Sequence, residues 1–296
     1  MTKPVLTNNS RVAIVRLRSL GDCVLSTPAI RLLKAHDPDS EIAVVVEDRF
    51  AGVFEGNPDV SHIVPPAVKA LRGFAPDTCL NLHGGTRSAR LTLLSGAKVR
   101  AGFDIFKPAW VYNKRLPTAQ QTLGVTRRVH TAEHMASAVF ALGVPVTEVP
   151  PARLYPPHGR SAHAPEGAYA VIHPLSATFE KTWPGFKDLA EHLKTEPVFI
   201  GGTGEDLSAF AQWKTVSGAS IPEIAQLMRD ADFFIGNDSG PAHIAAAFGK
   251  PVLVFFGPSD EEIWAPWRTR SEILKANGPI ASITVEQALE SLKRLL

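Results

Sequence analysis

Short β-branched runs alternate with helical stretches along this chain, and the alternation stops once, at a proline-rich segment, before it starts again. That rhythm constrains the fold more than any other feature. Residues Arg11–Leu17 read RVAIVRL, a strand, and the loop RSLGD follows. A helical pattern from Ser26 to Lys34 carries Pro28 in its first turn, where a missing N–H is harmless, and Ile42–Val46 is the next strand. Strand, crossover helix and strand make a βαβ opening, so the sheet is expected to be parallel and doubly wound. A strand at Thr78–Leu82, a helix near Thr86–Leu94 and a helix at Ala132–Leu142, stopped by Gly143, complete the first half.

Residues 150–168, PPARLYPPHGRSAHAPEGA, hold five prolines and have linker composition. The βα order then resumes with strands at Tyr169–His173, Pro197–Ile200, Asp232–Ile235 and Val252–Phe255. Between them lie helices at Phe186–Leu193, Ile221–Met228 and Ala242–Phe248, and Val285–Leu296 is an amphipathic closing helix. A chain of 296 residues accommodates two such α/β domains. The expected division is a first domain at 1–155, a second at 166–282, and a helix at 283–296 that packs back on the first domain. Ligands of doubly wound sheets bind at the carboxyl ends of the strands, so both domains should present their loops to a common cleft.

Composition narrows the class. At 45% hydrophobic and 20% charged residues the chain is an ordinary globular one, and no run of about 18 apolar residues suggests a membrane span. Two cysteines, Cys23 and Cys79, make no disulfide framework, and MTKPVLTNNS has no signal-peptide core, so a cytoplasmic location is expected. The net charge of +2 is unevenly placed: residues 1–150 hold 18 Lys and Arg against 12 Asp and Glu, the remainder 13 against 17. A basic first half suits an anionic partner, although an uneven split of this size also arises by chance.

Four loops carry candidate chemistry. Ser19-Leu20-Gly21-Asp22 follows the first strand; Asp22 reads either as a helix N-cap or as a carboxylate placed to act as a general base. The absence of GxGxxG after this strand argues against a dehydrogenase. His173-Pro174-Leu175-Ser176 runs on to Lys181-Thr182-Trp183-Pro184, where Lys181 is either a solvated cation or a phosphate contact. Gly236-Asn237-Asp238-Ser239-Gly240-Pro241-Ala242-His243 opens an alanine-rich helix, as a simple cap or as an anion site built from free N–H groups. Gly201-Gly202-Thr203-Gly204-Glu205-Asp206 is a glycine-rich turn in which Glu205 accepts from ribose hydroxyls or only caps the next segment. Among the basic residues of the first half, Arg18, Arg87 and Arg90 are candidates for gripping a phosphorylated acceptor, the latter two after the loop His83-Gly84-Gly85-Thr86.

Taken together, the LGD loop with its TPAIRLLK helix, the NPDV segment at Asn57–Val60, LHGGTRSAR, the H-P…K-x-W-P stretch and NDSGPAHIAAAFGKPVLVFFGPSD resemble the ADP-heptose:lipopolysaccharide heptosyltransferase family (glycosyltransferase family 9) over most of residues 11–267. The resemblance implies the GT-B fold of two Rossmann-like domains and an inverting transfer of heptose, or a related sugar, from an ADP-sugar to a lipopolysaccharide-core or similar envelope glycan. By the same resemblance Asp22 and Lys181 are the catalytic pair. Ser176, Thr178, Lys181, Gly202, Glu205, Asp238, Ser239, Gly240 and His243 would bind the donor; Arg18, Arg87 and Arg90 are assigned to the acceptor. Partners would be the nucleotide sugar and an anionic glycolipid or glycan, with peripheral contact at the cytoplasmic face of the inner membrane and no nucleic acid. No cofactor and no metal are expected, since neither an Asp-x-Asp pair at a strand end nor a His/Cys cluster is present. Two other readings fit the fold: a nucleotide-sugar epimerase, and a non-catalytic nucleotide-sugar-binding protein.

Overall fold

The structure, a computed structural model, describes residues 9–176 and 178–296. All but the last two residues of the MTKPVLTNNS stretch lie outside it. Two compact units divide the chain, Met1–Arg153 and Leu154–Leu296.

The first unit contains β1 (Arg11–Val15), α1 (Leu20–His36), β2 (Glu41–Val45), α2 (Asp48–Ala51), β3 (His62–Val64), α3 (Val68–Phe74), β4 (Thr78–Asn81), α4 (Thr86–Leu94), β5 (Val99–Phe103), β6 (Lys114–Leu116), α5 (Ala119–Leu123) and α6 (Thr131–Ala141). Its six strands lie in the order β3-β2-β1-β4-β5-β6, every pair parallel. The second unit contains β7 (Tyr169–His173), α7 (Phe186–Glu191), β8 (Glu196–Gly201), β9 (Lys214–Ser217), α8 (Ile221–Asp230), β10 (Phe233–Asn237), α9 (Gly240–Ala247), β11 (Val252–Phe256), α10 (Glu261–Trp264), β12 (Ser271–Lys275) and α11 (Val285–Leu295). Its sheet, β12-β11-β10-β7-β8-β9, repeats the first order in mirror listing and is again fully parallel. Each unit is therefore doubly wound, with its order reversing between β1 and β4, or between β7 and β10.

Central strands are buried along nearly their whole length, as sheets covered on both faces require: Val12–Val15, Phe233–Asn237 and Val252–Phe256 are all inaccessible. In the second unit Trp183 stacks on Phe255 at 4.0 Å, with Phe186 edge-on to both, and its indole N–H donates to the Ile283 carbonyl at 2.8 Å. Burying each such ring contributes about 1.5–3 kcal/mol. The closing helix α11 puts Ala288, Leu292 and Leu295 into this same cluster. It thus contributes to the core of the second unit, where its apolar stripe meets the aromatic face of β11.

Two helix starts differ from expectation. Helix α1 begins at Leu20, six residues before the expected Ser26, because the Gly-Asp turn conceals an otherwise regular first turn. Pro28 consequently lies inside the helix. The Val24 carbonyl, four residues before it, accepts instead from the Thr27 hydroxyl at 2.8 Å, which replaces the bond that proline cannot make. Helix α9 starts at Gly240, not Ala242, with Pro241 in its first turn. Strands β3, β5, β6, β9 and β12 have no counterpart in the sequence reading; they are three to five residues long, and His62-Ile63-Val64 or Lys114-Arg115-Leu116 shows no usable period.

Candidate active site

In the first unit the order of the sheet reverses between β1 and β4, and the loops leaving these strands carry a charged cluster. Ser19 is the N-cap of α1, which places Asp22 in the first helical turn. Asp22 is therefore not the cap. One carboxylate oxygen accepts from the Ser19 hydroxyl at 3.0 Å, and the other is bound by the guanidinium of Arg16. Arg16 is itself only 6% exposed and donates to the Leu82 carbonyl at 2.7 Å, while its Nε has no partner. Burial and the neighbouring guanidinium groups of Arg16 and Arg18 push the pKa of His83 below the usual histidine value, and its Nδ1 is buried without a partner. His134, stacked on Phe103 at 4.1 Å, is lowered for the same first reason, with Arg16 adding to it.

The His83 loop is fixed from below by Asn81, the last residue of β4 and completely buried. Its side-chain oxygen accepts from the amides of His83 (2.9 Å) and Gly84 (3.1 Å); its NH₂ group donates to Ser88 and Tyr112. Gly84 and Gly85 both have positive φ, which lets the chain turn sharply into α4. On that helix Arg87 is exposed but engaged: it binds Glu47 at 2.6 Å, and Glu47 is also held by Arg49. These arginines and Arg18 bring the Glu47 pKa below the usual value against the opposing pull of desolvation. Arg18 is exposed beside His83. Arg90 is exposed one turn beyond Arg87.

The second unit reverses between β7 and β10. Twelve residues, 174–185, separate β7 from α7, and this loop carries Ser176, Thr178 and Lys181. Asn237, the last residue of β10 and likewise fully buried, clamps both ends of it. Its side chain accepts from the Trp183 amide at 2.9 Å and donates to the Pro174 carbonyl at 3.0 Å. Lys181 Nζ lies 3.3 Å from Asp238. A side chain on Gly257, in the loop after β11, would run into the Glu180 carbonyl, so that glycine lets the two loops pack. Ser239 is the N-cap of α9, yet its hydroxyl turns to His173 Nδ1 at 3.0 Å and leaves the helix's first amides without a side-chain cap. His173 Nε2 is 3.6 Å from Glu205, whose carboxylate also accepts from the Gly202 amide at 2.6 Å. Hydrogen bonding from His173 lowers the Glu205 pKa most. Gly202 and Thr178 are exposed, and His243 is buried on α9. Lys181, Glu205, Asp238, Ser239 and Gly240 are thus gathered at one reversal point and joined through His173 and Asn237.

The sequence profile of Glycosyltransferase family 9 (heptosyltransferase) matches residues 67–292. The chain belongs to that family. It is accordingly a glycosyltransferase, and its architecture is the two-domain GT-B fold. It is 27% identical to lipopolysaccharide heptosyltransferase 3 of Escherichia coli over 290 residues, covering 85% of this chain and 84% of the relative. Lipopolysaccharide heptosyltransferase 1 of E. coli K12 is 23% identical over 324 residues, or 96% and 100% of the two chains. Among solved structures, a glycosyl transferase family 9 protein of Veillonella parvula superposes with a TM-score of 0.84 at 21% identity, over 97% of each chain. An E. coli heptosyltransferase solved with ADP gives 0.78 at 19% identity, over 97% of this chain and 100% of that one. Several groups of the candidate site are not singled out by the sequence: Glu47, Asn81 and His134, the linking position of His173, and the role of Arg16, which stands there only as one of many basic residues. A cation following the buried run of β1, and an asparagine ending two fully buried strands, are the signals that point to them.

Proposed function

We propose that the enzyme transfers a heptose, or a related sugar, from an ADP-sugar to a lipopolysaccharide-core or similar envelope glycan with inversion at the anomeric carbon, working at the cytoplasmic face of the inner membrane. The observation that carries this reading is the contrast between the reversal points. One ends in a carboxylate, Asp22; the other ends in Lys181 beside an uncapped helix N-terminus. Names of relatives supply the sugar and acceptor: lipopolysaccharide heptosyltransferases, and a heptosyltransferase solved with ADP-2-deoxy-2-fluoro heptose.

The donor's diphosphate binds to Lys181 and to the first amides of α9 near Ser239 and Gly240, where the helix dipole favours an anion. Ser176 and Thr178 complete the phosphate loop, His243 supports α9, and Glu205, with Gly202, receives the ribose hydroxyls. The acceptor hydroxyl meets Asp22, and Arg18, Arg87 and Arg90 attract its phosphates. In the transfer, the acceptor oxygen bonds to the anomeric carbon as its proton passes to Asp22. The carbon–oxygen bond to the diphosphate breaks, and ADP leaves with the electron pair. Its added charge is stabilised by Lys181 and the α9 amides, so that no metal is required. Arg16 and Ser19 fix the two oxygens of Asp22, which keeps the base in one orientation.

Asp22→Asn is isosteric and preserves the Ser19 contact. It should reduce turnover of an ADP-heptose donor at least about 100-fold while ADP affinity stays unchanged. Turnover near the unmutated level would remove Asp22 from the mechanism. Release of a free epimerised nucleotide sugar without any acceptor would favour the epimerase reading instead.

A further inference from the structure

The loop between β5 and β6 exposes apolar surface that the sugar-transfer reading does not use. Ile105 is 62% exposed and Trp110 67%. Neither results from a loose segment. Phe106, between them, packs edge-on to Phe103 at 5.5 Å; Val111 and Tyr112 are buried against Ala89 of α4. Arg100 Nε donates to the Val111 carbonyl at 2.9 Å, and Asn113 both donates to the Lys98 carbonyl and accepts from the Arg100 amide at 2.8 Å. The loop is braced from behind, and Ile105 and Trp110 are held outward.

The charge around it is mainly positive. Residues 78–132 contain nine lysines and arginines and a single carboxylate, Asp104. That carboxylate lies 3.8 Å from Arg115 with both side chains more than half exposed, a geometry that neutralises little. Lys107 is exposed in the loop, Lys98 is exposed just before β5, and Arg90 is exposed on α4, whose inner face supports the loop. Because β5 and β6 are parallel, the loop leaves β5 at the edge that bears Asp22 and His83 and runs back past Arg100 toward Lys98, which precedes β5, before it enters β6.

We propose that this loop seats the protein on an anionic lipid bilayer, Trp110 and Ile105 entering the interfacial layer while Arg90, Lys98, Lys107 and Arg115 face the headgroups. Tryptophan favours that layer, and a cluster of cations is drawn to an anionic leaflet. Each signal is weak alone, and two together give reversible attachment. Two apolar side chains make too small a patch for the core of a stable protein interface, which favours lipid over a protein partner. The proposal deepens the reading of the acceptor as an envelope glycolipid and rests on it for its purpose, since a lipid-anchored acceptor has to be met at a membrane.

The test is co-sedimentation of the whole protein with vesicles free of glycolipid, either pure phosphatidylcholine or phosphatidylcholine with phosphatidylglycerol. The protein should partition onto the anionic vesicles, bind neutral ones weakly, and be released by 1 M salt, where the Debye length falls to about 3 Å. The double variant Trp110→Ser, Ile105→Ser should bind at least about tenfold more weakly, because it loses the interfacial half of the attachment. Its transfer rate to a short water-soluble acceptor should be unchanged. Brominated lipid should quench the fluorescence of the parent protein and not that of the variant. Absence of binding to anionic vesicles, equal binding to neutral ones, or undiminished binding of the variant would overturn the proposal. So would a parent dimer that the double substitution dissociates. Failure of the transferase reading would look different: vesicle binding would persist while no ADP-sugar was consumed.

Discussion

At the end of β1 the first unit passes through four residues into α1 and sets Asp22 on that helix's first turn; at the end of β7 the second unit passes through twelve residues and delivers Lys181. The strand order around the two places is the same, and so is the buried asparagine on the neighbouring strand, Asn81 or Asn237. What differs is the use of helix ends. The positive end of α1 already has an acidic group in its first turn. The strand next to β7 leads into α9, whose first turn contains no acid and whose N-cap hydroxyl is turned away to His173. One unit fills its helix terminus with its own carboxylate, and the other leaves the terminus without a side-chain cap, where the proposed donor diphosphate would bind. A repeated scaffold thereby acquires two chemistries through loop length and one side chain, which is the division of labour that the proposed transfer needs.

The sharpest way to break this contrast is to fill the vacant helix end. Gly240→Val places a branched side chain at the start of α9 and should weaken ADP binding at least about 100-fold, the scale of losing a charge-assisted site of several hydrogen bonds. The unmutated protein should correspondingly bind ADP far more tightly than adenosine, measured by calorimetry. Equal affinities for the two would reduce α9 to a structural helix. Next in size is Lys181→Ala. Loss of one charge-assisted contact should weaken ADP by roughly 10- to 100-fold and lower turnover with it, whereas Asp22→Asn should leave ADP affinity alone. If the two substitutions affected ADP affinity alike, the functional split between the units would fail.

The two asparagines test how far the likeness extends. Each is completely buried and satisfies backbone groups of the loop beside it: Asn81 the amides of His83 and Gly84, Asn237 the Trp183 amide and the Pro174 carbonyl. Replacing either with alanine leaves buried groups unpaired and should cost about 1–3 kcal/mol of stability, read from denaturant unfolding. The functional consequences should separate. Asn237→Ala loosens the Lys181 loop and should weaken ADP; Asn81→Ala should spare ADP and reduce turnover. An Asn81→Ala variant with weakened ADP binding would contradict this assignment.

The sequence made the βα repeats legible because long, fully buried strands and periodic helices leave dense apolar patterns. Thr86–Leu94 and Tyr169–His173 are found at the residues the pattern named. Strands of three residues at the sheet edges, such as His62–Val64 and Lys114–Leu116, leave no pattern to read. At the candidate site, Asp22 and the Asp238–Gly240 turn are legible because each stands beside glycine at a strand end, and Lys181 because a Trp-Pro pair follows it in the loop after β7. Glu47 and His134 are not, since their significance lies in contacts between residues far apart in the chain: Glu47 meets Arg87 forty positions away. Domain allegiance of the last helix was hidden for a related reason. An amphipathic stripe states that a helix is covered and does not state by what.

The smallest effect concerns acid, and it again sets the units against each other. In the first, burial and the guanidinium groups of Arg16 and Arg18 hold the His83 pKa below its ordinary value. Once the pH falls below about 6.5, the unfolded chain takes up a proton that folded His83 refuses, so the unfolded state gains and stability declines as the pH is lowered. In the second, hydrogen bonding from His173 lowers the pKa of Glu205. That group contributes stability above its unfolded pKa of about 4.3, and the contribution is lost only as the pH falls through the lower folded value. Melting temperatures between pH 7.5 and 5.5 should therefore fall in the unmutated protein and fall less steeply in His83→Gln, which has no proton to gain. Glu205→Gln should leave the slope over this interval as it is, because both of its relevant protonation changes occur at lower pH. His134, lowered by the same burial, keeps part of the slope in the His83→Gln variant. A slope that His83→Gln left untouched and Glu205→Gln abolished would place the acid-sensitive group in the donor unit and reverse the comparison.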